Sequence, residues 1–208
     1  MSKIYFDIGA NIGKWSLVNQ DKCDKIIAVE ASPKTYANLM SNIKNNSKIV
    51  GLNYAVCNTQ NDYVEFYHCN VDTLSTLNKD WLLSSNSRFY NYDKVTKIRC
   101  IPITLDKLIE IYGIPDLIKI DVEGGEYECI SSLSKKVNDL CFEWASETHN
   151  ITFKCLDYLY NLGYTEFALQ LEDHYLYRPE YYTTKEKIKE YLLKNTTVKK
   201  DWGMIWCK

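Results

Sequence analysis

Short apolar runs alternate along the chain with segments of helical spacing, and this alternation predicts an α/β fold. The apolar runs are rich in β-branched and aromatic residues, which is typical of strands buried on both faces of a parallel sheet. The predicted strands are Ile4–Ile8, Lys25–Glu30, Lys48–Val56, Asp62–His68, Lys97–Ile103, Leu117–Ile120, Leu140–Trp144, Tyr164–Gln170 and Asp201–Cys207.

The helices are predicted from apolar residues at helical spacing and from end signals. Ser32 supplies an N-cap before Pro33 at the first helical position, and Thr104 caps a helix that Gly113 ends. The predicted helices run to about Asn19, from Pro33 through Ile43, and over Leu105–Tyr112, Glu126–Leu133, Phe153–Asn161 and Thr184–Leu193. Strand and helix in alternation predict a doubly wound, mostly parallel sheet.

One long segment, from Asn70 to about Asn91, has no apolar period. Its polar residues surround the isolated aromatics Trp81, Phe89 and Tyr90. Long irregular loops are commonly lids or binding loops, so this one is predicted to contact a carbohydrate or aromatic substrate, or to be held down by its own side chains. No repeat or linker divides the chain. We therefore expect a single domain over residues 1–208 with a substrate-side insertion at about 70–91.

Composition excludes several classes of protein. The net charge of −2, with scattered Lys and Arg, argues against a nucleic-acid partner. No apolar run reaches the roughly 18 residues that a membrane span needs. Eight cysteines without a C-x-x-C pair favour free thiols in a reducing compartment, and no signal peptide precedes the first strand, so we expect a cytoplasmic protein.

The first strand leads into the pattern Asp7-x-Gly9-x-Asn11-x-Gly13, with Ala10 and Ile12 between. A strand, a turn of small residues and a helix bring backbone N–H groups against a ligand, and Asn tolerates the left-handed conformation almost as glycine does. The spacing differs from the dinucleotide fingerprint G-x-G-x-x-G. Since Asp7 would repel phosphate, the motif favours the cationic ligand S-adenosylmethionine over a plain connection.

The second and third strands end in further candidate cofactor residues. Glu30 follows Gly13 by 17 positions and is predicted to accept hydrogen bonds from ribose hydroxyls, with Ala31 beside it. The alternative is an ordinary exposed residue at a strand end. At the exit of the third strand, Ala55 and Val56 lie beside the adenine if the sheet is doubly wound.

Carboxylates gather at the ends of the later strands. Asp121 and Glu123 follow Leu117–Ile120, and Glu143 ends the strand after it. Ligands of open α/β sheets bind at this edge, so Asp7, Glu30, Asp121 and Glu123 are predicted to converge on one crevice. Asp121 is the first choice as catalytic base; the reserves are Glu123, Glu143, Glu147 and His149, with His68, His174 and Asp72 from loops.

A metal is an alternative role for the same acids. Asp121, Glu123 and Glu143 could hold Mg²⁺, which prefers carboxylates and water. Glu123 could instead only cap the following helix, where a negative charge is favourable.

The motifs together resemble the FkbM-type methyltransferases, a branch of the class I S-adenosylmethionine-dependent enzymes. The resemblance covers roughly Ile4 to Trp144 and rests on Phe6–Gly13, Val29–Pro33, Thr104–Asp106 and above all Lys119-Ile-Asp-Val-Glu-Gly-Gly-Glu126. It implies a seven-stranded sheet with an antiparallel last strand and methyl transfer to oxygen, commonly a sugar hydroxyl. By family pattern the cofactor residues are Asp7, Gly9, Asn11, Gly13 and Glu30, and the catalytic rim is Asp121 with Glu123. One departure is Glu30-Ala-Ser-Pro33, where two residues separate the acid from the proline.

Together these expectations predict an S-adenosylmethionine-dependent O-methyltransferase. Its predicted acceptor is a carbohydrate, for example a deoxyhexose such as rhamnose in a glycan. Because the first strand begins within four residues of Met1, the lid is expected in an internal insertion, or the chain is a module of a longer glycan-processing polypeptide or an oligomer. The alternatives are ribose methylation of RNA, another small-molecule acceptor, or a non-catalytic binding module. RNA ribose methylation needs catalytic lysines, and Lys119 is predicted to point away from the rim. A module would have lost the acidic set, which is present.

Overall fold

The computed structural model describes residues 2–69, 74–83, 95–195 and 201–208. The strands are β1 (Ile4–Ile8), β2 (Lys25–Val29), β3 (Ile49–Leu52), β4 (Ala55–Val56), β5 (Val64–Cys69), β6 (Val95–Cys100), β7 (Pro102–Ile103), β8 (Leu117–Ile120), β9 (Asp139–Ala145), β10 (Phe167–Leu171) and β11 (Trp202–Cys207). The helices are α1 (Lys14–Asn19), α2 (Pro33–Ile43), α3 (Lys79–Leu83), α4 (Leu105–Tyr112), α5 (Glu126–Ile130), α6 (His149–Asn161) and α7 (Lys185–Asn195).

Seven strands form the main sheet in the order β10-β11-β9-β8-β1-β2-β3. β11 runs antiparallel to both of its neighbours, and the other pairs are parallel. The predicted seven-stranded, mostly parallel sheet with an antiparallel last strand is thus confirmed. Because the chain passes from β1 toward β3 on one side and later returns to β8 on the other, the strand order reverses at β1 and β8. A crevice for a ligand opens at such a switch point.

Both faces of the main sheet are covered, which explains the near-continuous apolar strands. On one face Phe6 of β1 packs in a cluster with Leu105 of α4 and Leu156 of α6. On the other face Tyr5 packs in a cluster with Leu39 of α2. Full burial of one such side chain stabilises the fold by about 1.5–3 kcal/mol. The two packed layers therefore hold the sheet in place, and with it the edge on which the site is built.

Two predicted strands are each divided in the structure. The run Lys48–Val56 becomes β3 in the main sheet and β4, which pairs with β7 instead. The amide of Asn53 donates to the carbonyls of Glu30 and Ala31 at 2.8 and 3.0 Å, and this draws the chain away from β2 after Leu52. The run Lys97–Ile103 likewise becomes β6, which pairs with β5 in a separate antiparallel ladder, and β7.

The predicted irregular segment contains ordered structure in its described part, residues 74–83. Leu74, Trp81 and Leu82 are buried in one cluster, and Trp81 lies on the short helix α3. The Trp81 side chain is therefore packed inside the protein. Asp72, Phe89 and Tyr90 lie outside the described residues.

Several smaller boundaries also differ from the sequence expectations. α5 ends at Ile130, where the Ser132 hydroxyl donates to the Cys129 carbonyl at 2.6 Å and closes the helix. α6 begins at His149, directly after a 3₁₀ turn over 146–148. All eight cysteines are buried with free thiols. Within the described ranges, no helix combines the length and the apolar character required to cross a bilayer.

Candidate active site

The turn after β1 brings the backbone of β1 against that of β8. Gly9 has φ +76°, and a Cβ added there would lie 1.8 Å from the carbonyl oxygen of Asp121. Only glycine fits so close an approach. The N–H groups of Gly9 and Ala10 both donate to the Val29 carbonyl at 2.9 Å, and Asn11 adopts φ +49° as the sequence predicts. The turn is thus tied to both neighbouring strands.

Glu30, at the end of β2, is oriented by backbone donors. Its Oε2 accepts a hydrogen bond from the Asn11 N–H at 3.0 Å, and its Oε1 accepts one from the Ser32 N–H at 2.8 Å. Only 7% of Glu30 is exposed, so its carboxylate is fixed at the cavity wall. Ser32 also caps α2 by accepting from the Thr35 N–H, as predicted.

Asp7 and Gly13 lie behind the cavity wall. Asp7 is fully buried; its Oδ2 accepts from the Ser16 hydroxyl at 2.6 Å, and its Oδ1 is 3.7 Å from Lys119 Nζ. Burial raises the pKa of Asp7, and Lys119 acts in the opposite direction. Gly13 caps α1 with φ +86°, and a Cβ there would lie 2.7 Å from Leu39 Cδ1. Both residues support the turn from within.

The expectation for Lys119 is wrong. Its side chain is buried, lines the cavity, and places Nζ 3.0 Å from Asp121 Oδ2. Lys119 pairs directly with Asp7 across β8 and β1, so two carboxylates surround the ammonium. Burial alone would lower the pKa of Lys119, but Asp121 and Asp7 raise it overall. The pattern of β8 alone does not reveal this pairing, because it depends on the neighbouring strand.

Asp121, Glu123 and Glu143 lie together, as predicted for the carboxyl ends of adjacent strands. One carboxylate oxygen from each lies within 4.8 Å of the others. Burial, followed by the neighbouring carboxylates, raises the pKa of Glu123 and of Glu143 well above the ordinary value. Two members of this group therefore favour the protonated form unless a cation approaches.

Glu126, which sequence reasoning passed over, closes the turn between β8 and α5. Its Oε1 accepts hydrogen bonds from the N–H groups of Gly124 at 3.1 Å and Val122 at 3.3 Å. Burial raises the pKa of Glu126 to about 7. The same turn holds Glu123 at φ +55°, an uncommon value for a residue with a side chain.

The segment 74–83 rests on this turn. The Thr76 hydroxyl donates to the Glu123 carbonyl at 2.6 Å, and the Asn78 amide donates to the Gly124 carbonyl at 3.0 Å. A Cβ on Gly124 would lie 3.1 Å from the Trp81 side chain, so Trp81 packs directly against this turn. Part of the predicted substrate-side insertion therefore fixes the turn that carries Glu123.

A cavity of about 970 Å³, counting its open mouth, lies at the switch point between β1 and β8. The predicted residues along its wall are Gly9, Ala10, Asn11, Glu30, Ala31, Ala55, Val56, Asp121 and Glu123. Glu143 stands behind Glu123 outside the lining. Lining residues that sequence reasoning missed include Lys14, Trp15, Tyr54, Phe66, Ser75, Leu77, Lys119, Asp173 and Tyr175. No local motif marks most of these, because distant parts of the chain bring them together.

The reserve residues lie at the margin or elsewhere. His68 Nδ1 is 3.1 Å from the Ser32 hydroxyl and 3.3 Å from that of Ser75, which lines the cavity. His149 stacks on Phe153 at a ring-centroid distance of 5.8 Å. Glu147 and His174 are also absent from the cavity wall.

Comparison with known proteins identifies this arrangement. Residues 7–168 match the model of the methyltransferase FkbM domain. The chain belongs to the FkbM methyltransferase family. The resemblance drawn from the motifs is thereby confirmed, and this FkbM methyltransferase uses S-adenosylmethionine as its methyl donor.

Solved structures agree on the fold. A precorrin-6y C5,15-methyltransferase from Geobacter metallireducens is 11% identical, with a TM-score of 0.50, and the match covers 100% of this chain and 79% of that one. A precorrin 8w decarboxylase from Methanobacterium thermoautotrophicum is 9% identical, with a TM-score of 0.50, covering 100% of this chain and 82% of that one. At such identities the likeness concerns the class I methyltransferase fold alone. Among curated proteins no match was found.

The cavity wall fits the chemistry of this cofactor. Glu30 presents a carboxylate already oriented by two backbone N–H groups, as binding to ribose hydroxyls requires. Asp121, Glu123 and Asp173 add acidic groups to the same wall, with Lys119 among them. An acidic wall suits a sulfonium and an ammonium better than a phosphate.

Proposed function

We propose that this FkbM methyltransferase methylates a sugar hydroxyl, and that its acceptor is a deoxyhexose such as rhamnose in a glycan. The observation that carries the proposal is the placement of Asp121 at the cavity wall, ion-paired with Lys119 and next to Glu123. A hydroxyl is a weak nucleophile and needs a base to take its proton during transfer. Asp121 meets that need at the end of the strand next to the glycine turn.

In the proposed cofactor site, Glu30 holds the ribose hydroxyls, and Ala31, Ala55 and Val56 form the apolar wall against adenine. These residues are neighbours along one side of the cavity. Gly9, Ala10 and Asn11 supply the backbone surface, while Asp7 and Gly13 support it from behind. When bound, the cofactor supplies a methyl group made electrophilic by the attached sulfonium.

Asp121 is proposed to accept the proton of the acceptor hydroxyl. The hydroxyl proton would pass to the Asp121 carboxylate as the acceptor oxygen is methylated. The ion pair between Lys119 and Asp121, at 3.0 Å, fixes the carboxylate toward the cavity. Glu123 and Glu143 rank after Asp121 as candidate bases, and burial raises their pKa values.

Mg²⁺ is proposed as an optional partner of the acidic group. Asp121, Glu123 and Glu143 offer three oxygen ligands within 4.8 Å, the ligand type that Mg²⁺ prefers. Lys119 already neutralises part of that charge, so the fit is partial. If Mg²⁺ takes part, exhaustive EDTA treatment will abolish activity and added Mg²⁺ will restore it; activity that survives EDTA removes the metal from the proposal.

A methyl-release screen tests the acceptor class. Purified protein with S-adenosylmethionine is offered deoxyhexose-containing glycans, glycans without deoxyhexose, small phenols and RNA, and methylated products are measured by mass. We expect turnover on the deoxyhexose glycans. Methyl incorporation into RNA or phenols, but not into any oligosaccharide, would contradict the sugar assignment; the net charge of −2 disfavours RNA.

Asp121→Asn tests the base on the best acceptor. We expect kcat to fall about 100-fold or more, the range typical of general-base catalysis, with the Kd of S-adenosylhomocysteine changed less than threefold. Asp62→Asn, which removes an exposed carboxylate away from the cavity wall, is the matched control. Full activity of Asp121→Asn would exclude this base. Failure of the wild type to bind S-adenosylhomocysteine at millimolar concentration would favour a non-catalytic module.

We further propose a location and a domain organisation for the protein. Eight buried, free thiols support a reducing compartment, and we propose the cytoplasm. We also propose that residues 1–208 act as one methyltransferase domain, and that the domain works as a module of a longer glycan-processing polypeptide. Cell fractionation tests the location, and sizing of the native protein tests whether the domain belongs to a longer polypeptide.

A further inference from the structure

One part of the cavity wall has no role in the proposed function. It comes from the segment 172–183, which connects β10 to α7 and begins after residue 168, where the family match ends. Asp173 and Tyr175 of this segment line the cavity together with Lys119 and Trp15. The segment thus adds groups to a site whose other walls lie within the family domain.

The segment is fixed to α1 by a buried side chain. The amide of Asn19 donates to the Tyr175 carbonyl at 3.1 Å, and its Oδ1 accepts from Arg178 Nη2 at 3.3 Å. The Arg178 guanidinium lies 4.8 Å from the centre of the Trp206 ring. These contacts hold Asp173 and Tyr175 in place beside the turn.

The charges in this part of the cavity do not balance. Lys119 interacts with three carboxylates, those of Asp121, Asp7 and Asp173. Asp173 is half-buried, and no hydrogen bond joins its side chain to another described residue. Burial raises the pKa of Asp173 to about 6, so it is mainly ionised at pH 7.5. On the cavity wall Lys119 is ion-paired with Asp121, so among the described residues Asp173 remains available to bind a second cation.

The position of Asp173 in the cavity determines which end of the cofactor it would contact. Glu30, at the end of β2, marks the ribose side of the cavity, and Ala55 and Val56 continue the wall on that side. Lys119 and Asp121 lie across β1, at the end of β8, and Asp173 interacts with both of them. With adenosine on the β2 side, the amino-acid portion of the cofactor lies on the β8 side. Its α-ammonium group is the cation available there.

We propose that Asp173 binds the α-ammonium group of the methionine portion of S-adenosylmethionine, and that the segment 172–183 is a cofactor-binding element of this protein. Tyr175 forms the adjoining wall. The segment would then contribute affinity for cofactors that carry an amino acid and none for adenosine alone. This inference rests on the proposed placement of the ribose at Glu30 and does not depend on the acceptor.

Calorimetric titration at pH 7.5 tests the proposal without turnover. The ligands are S-adenosylhomocysteine, its deamino analogue, and 5′-methylthioadenosine, which lacks the amino-acid portion. For Asp173→Asn we expect the Kd of S-adenosylhomocysteine to rise about tenfold, as loss of a charged hydrogen bond implies. The Kd values of the other two ligands should change less than twofold. Glu180→Gln removes an exposed charge from the same segment away from the cavity wall and should alter none of them.

Two results would overturn the assignment. Equal weakening of all three ligands would make Asp173 a structural residue, and an unchanged Kd for S-adenosylhomocysteine would remove it from the site. Asp173→Ser repeats the test with a smaller side chain, and thermal unfolding checks each variant. We expect both variants to fold, because the carboxylate removed is partly exposed and lies near the like charges of Asp121 and Asp7.

Discussion

At the scale of single residues, Gly9 is the position with the least freedom. Gly9→Ala would place a Cβ 1.8 Å from the Asp121 carbonyl oxygen, so β1 and β8 must separate. We expect a loss of about 3 kcal/mol or more in the free energy of unfolding, because a clash is added to the cost of a positive φ. Urea denaturation measures it.

Gly163→Ala is the matched control for Gly9→Ala. Gly163 also has a positive φ, +108°, but an added Cβ would come no nearer than 3.8 Å to Lys136 Cδ. The control should therefore lose only the conformational term, about 1–2 kcal/mol. Equal losses in the two variants would show that the close approach of β1 to β8 does not determine the requirement for glycine.

The sequence alone identifies the site residues that belong to local motifs. Gly9, Asn11 and Glu30 lie in one turn and at one strand end, and the structure brings all three to the cavity wall. The sequence predicts the wrong orientation for Lys119 and does not single out Asp173, because their positions depend on pairing with β1 and on a long return from β10. A single sequence shows neither the strand pairing nor the place to which the segment after β10 returns.

At the scale of elements, β1 and β8 are joined by a buried charge pair. Asp7 and Lys119 face each other in register, and their charged atoms lie 3.7 Å apart. Lys119→Met should cost about 3–5 kcal/mol, because it leaves the buried carboxylate of Asp7 without its cationic partner. Combining it with Asp7→Asn should cost about 1–3 kcal/mol less than the sum of the single losses. Urea unfolding of the four proteins gives the coupling.

An exposed pair provides the control for this cycle. Lys107 and Glu110 on α4 are 2.8 Å apart and well exposed, so their coupling should stay below about 0.5 kcal/mol. Additive losses at Asp7 and Lys119 would mean that the two strands are held together by packing alone.

The segment 74–83 should control catalysis through the turn it touches. Thr76→Val keeps the shape of the buried side chain but removes two hydrogen bonds, the one to the Glu123 carbonyl and the one accepted from the Asn78 N–H. We expect kcat to fall about tenfold on the best acceptor, because a small displacement of the rim misaligns the base. The Kd of S-adenosylhomocysteine should change less than twofold.

Thr152→Val is the control for Thr76→Val. Thr152 is a buried threonine of α6 whose hydroxyl donates to the Thr148 carbonyl at 3.3 Å, away from the cavity wall. Both variants should lose stability, about 1 kcal/mol for each hydrogen bond removed, but only Thr76→Val should lose turnover. Equal turnover in the two would separate the segment from the catalytic rim.

Strands were predicted correctly where one buried apolar run corresponds to one strand. β1, β2, β8 and β9 were found because continuous apolar runs are the mark of a doubly covered parallel sheet. The run Lys48–Val56 is equally continuous, yet one side chain, Asn53, directs its two halves into different sheets. Hydrophobic periodicity shows which residues of a strand are buried, but it does not show which other strand that strand pairs with.

At the scale of the whole molecule, the site concentrates buried acids on one edge of the sheet. Glu123, Glu126 and Glu143 all have pKa values raised by burial, and that of Glu126 reaches about 7. In the unfolded chain these groups titrate near 4.5. Between those values the native state holds more protons than the unfolded state, so stability falls as pH rises.

We therefore expect the ligand-free protein to be less stable at pH 8 than at pH 6.5, with a slope of up to about 1.4 kcal/mol per pH unit for each proton. The raised pKa of Lys119 lies above this window and the lowered pKa of His149 lies below 6.5, so neither reverses the trend. Glu126→Gln should flatten the slope, whereas Glu128→Gln, an exposed neighbour on α5, should leave it unchanged. Urea midpoints across the pH range measure the difference. A wild-type slope that Glu126→Gln does not alter would mean that Glu126 ionises in the native state as it does in the unfolded chain.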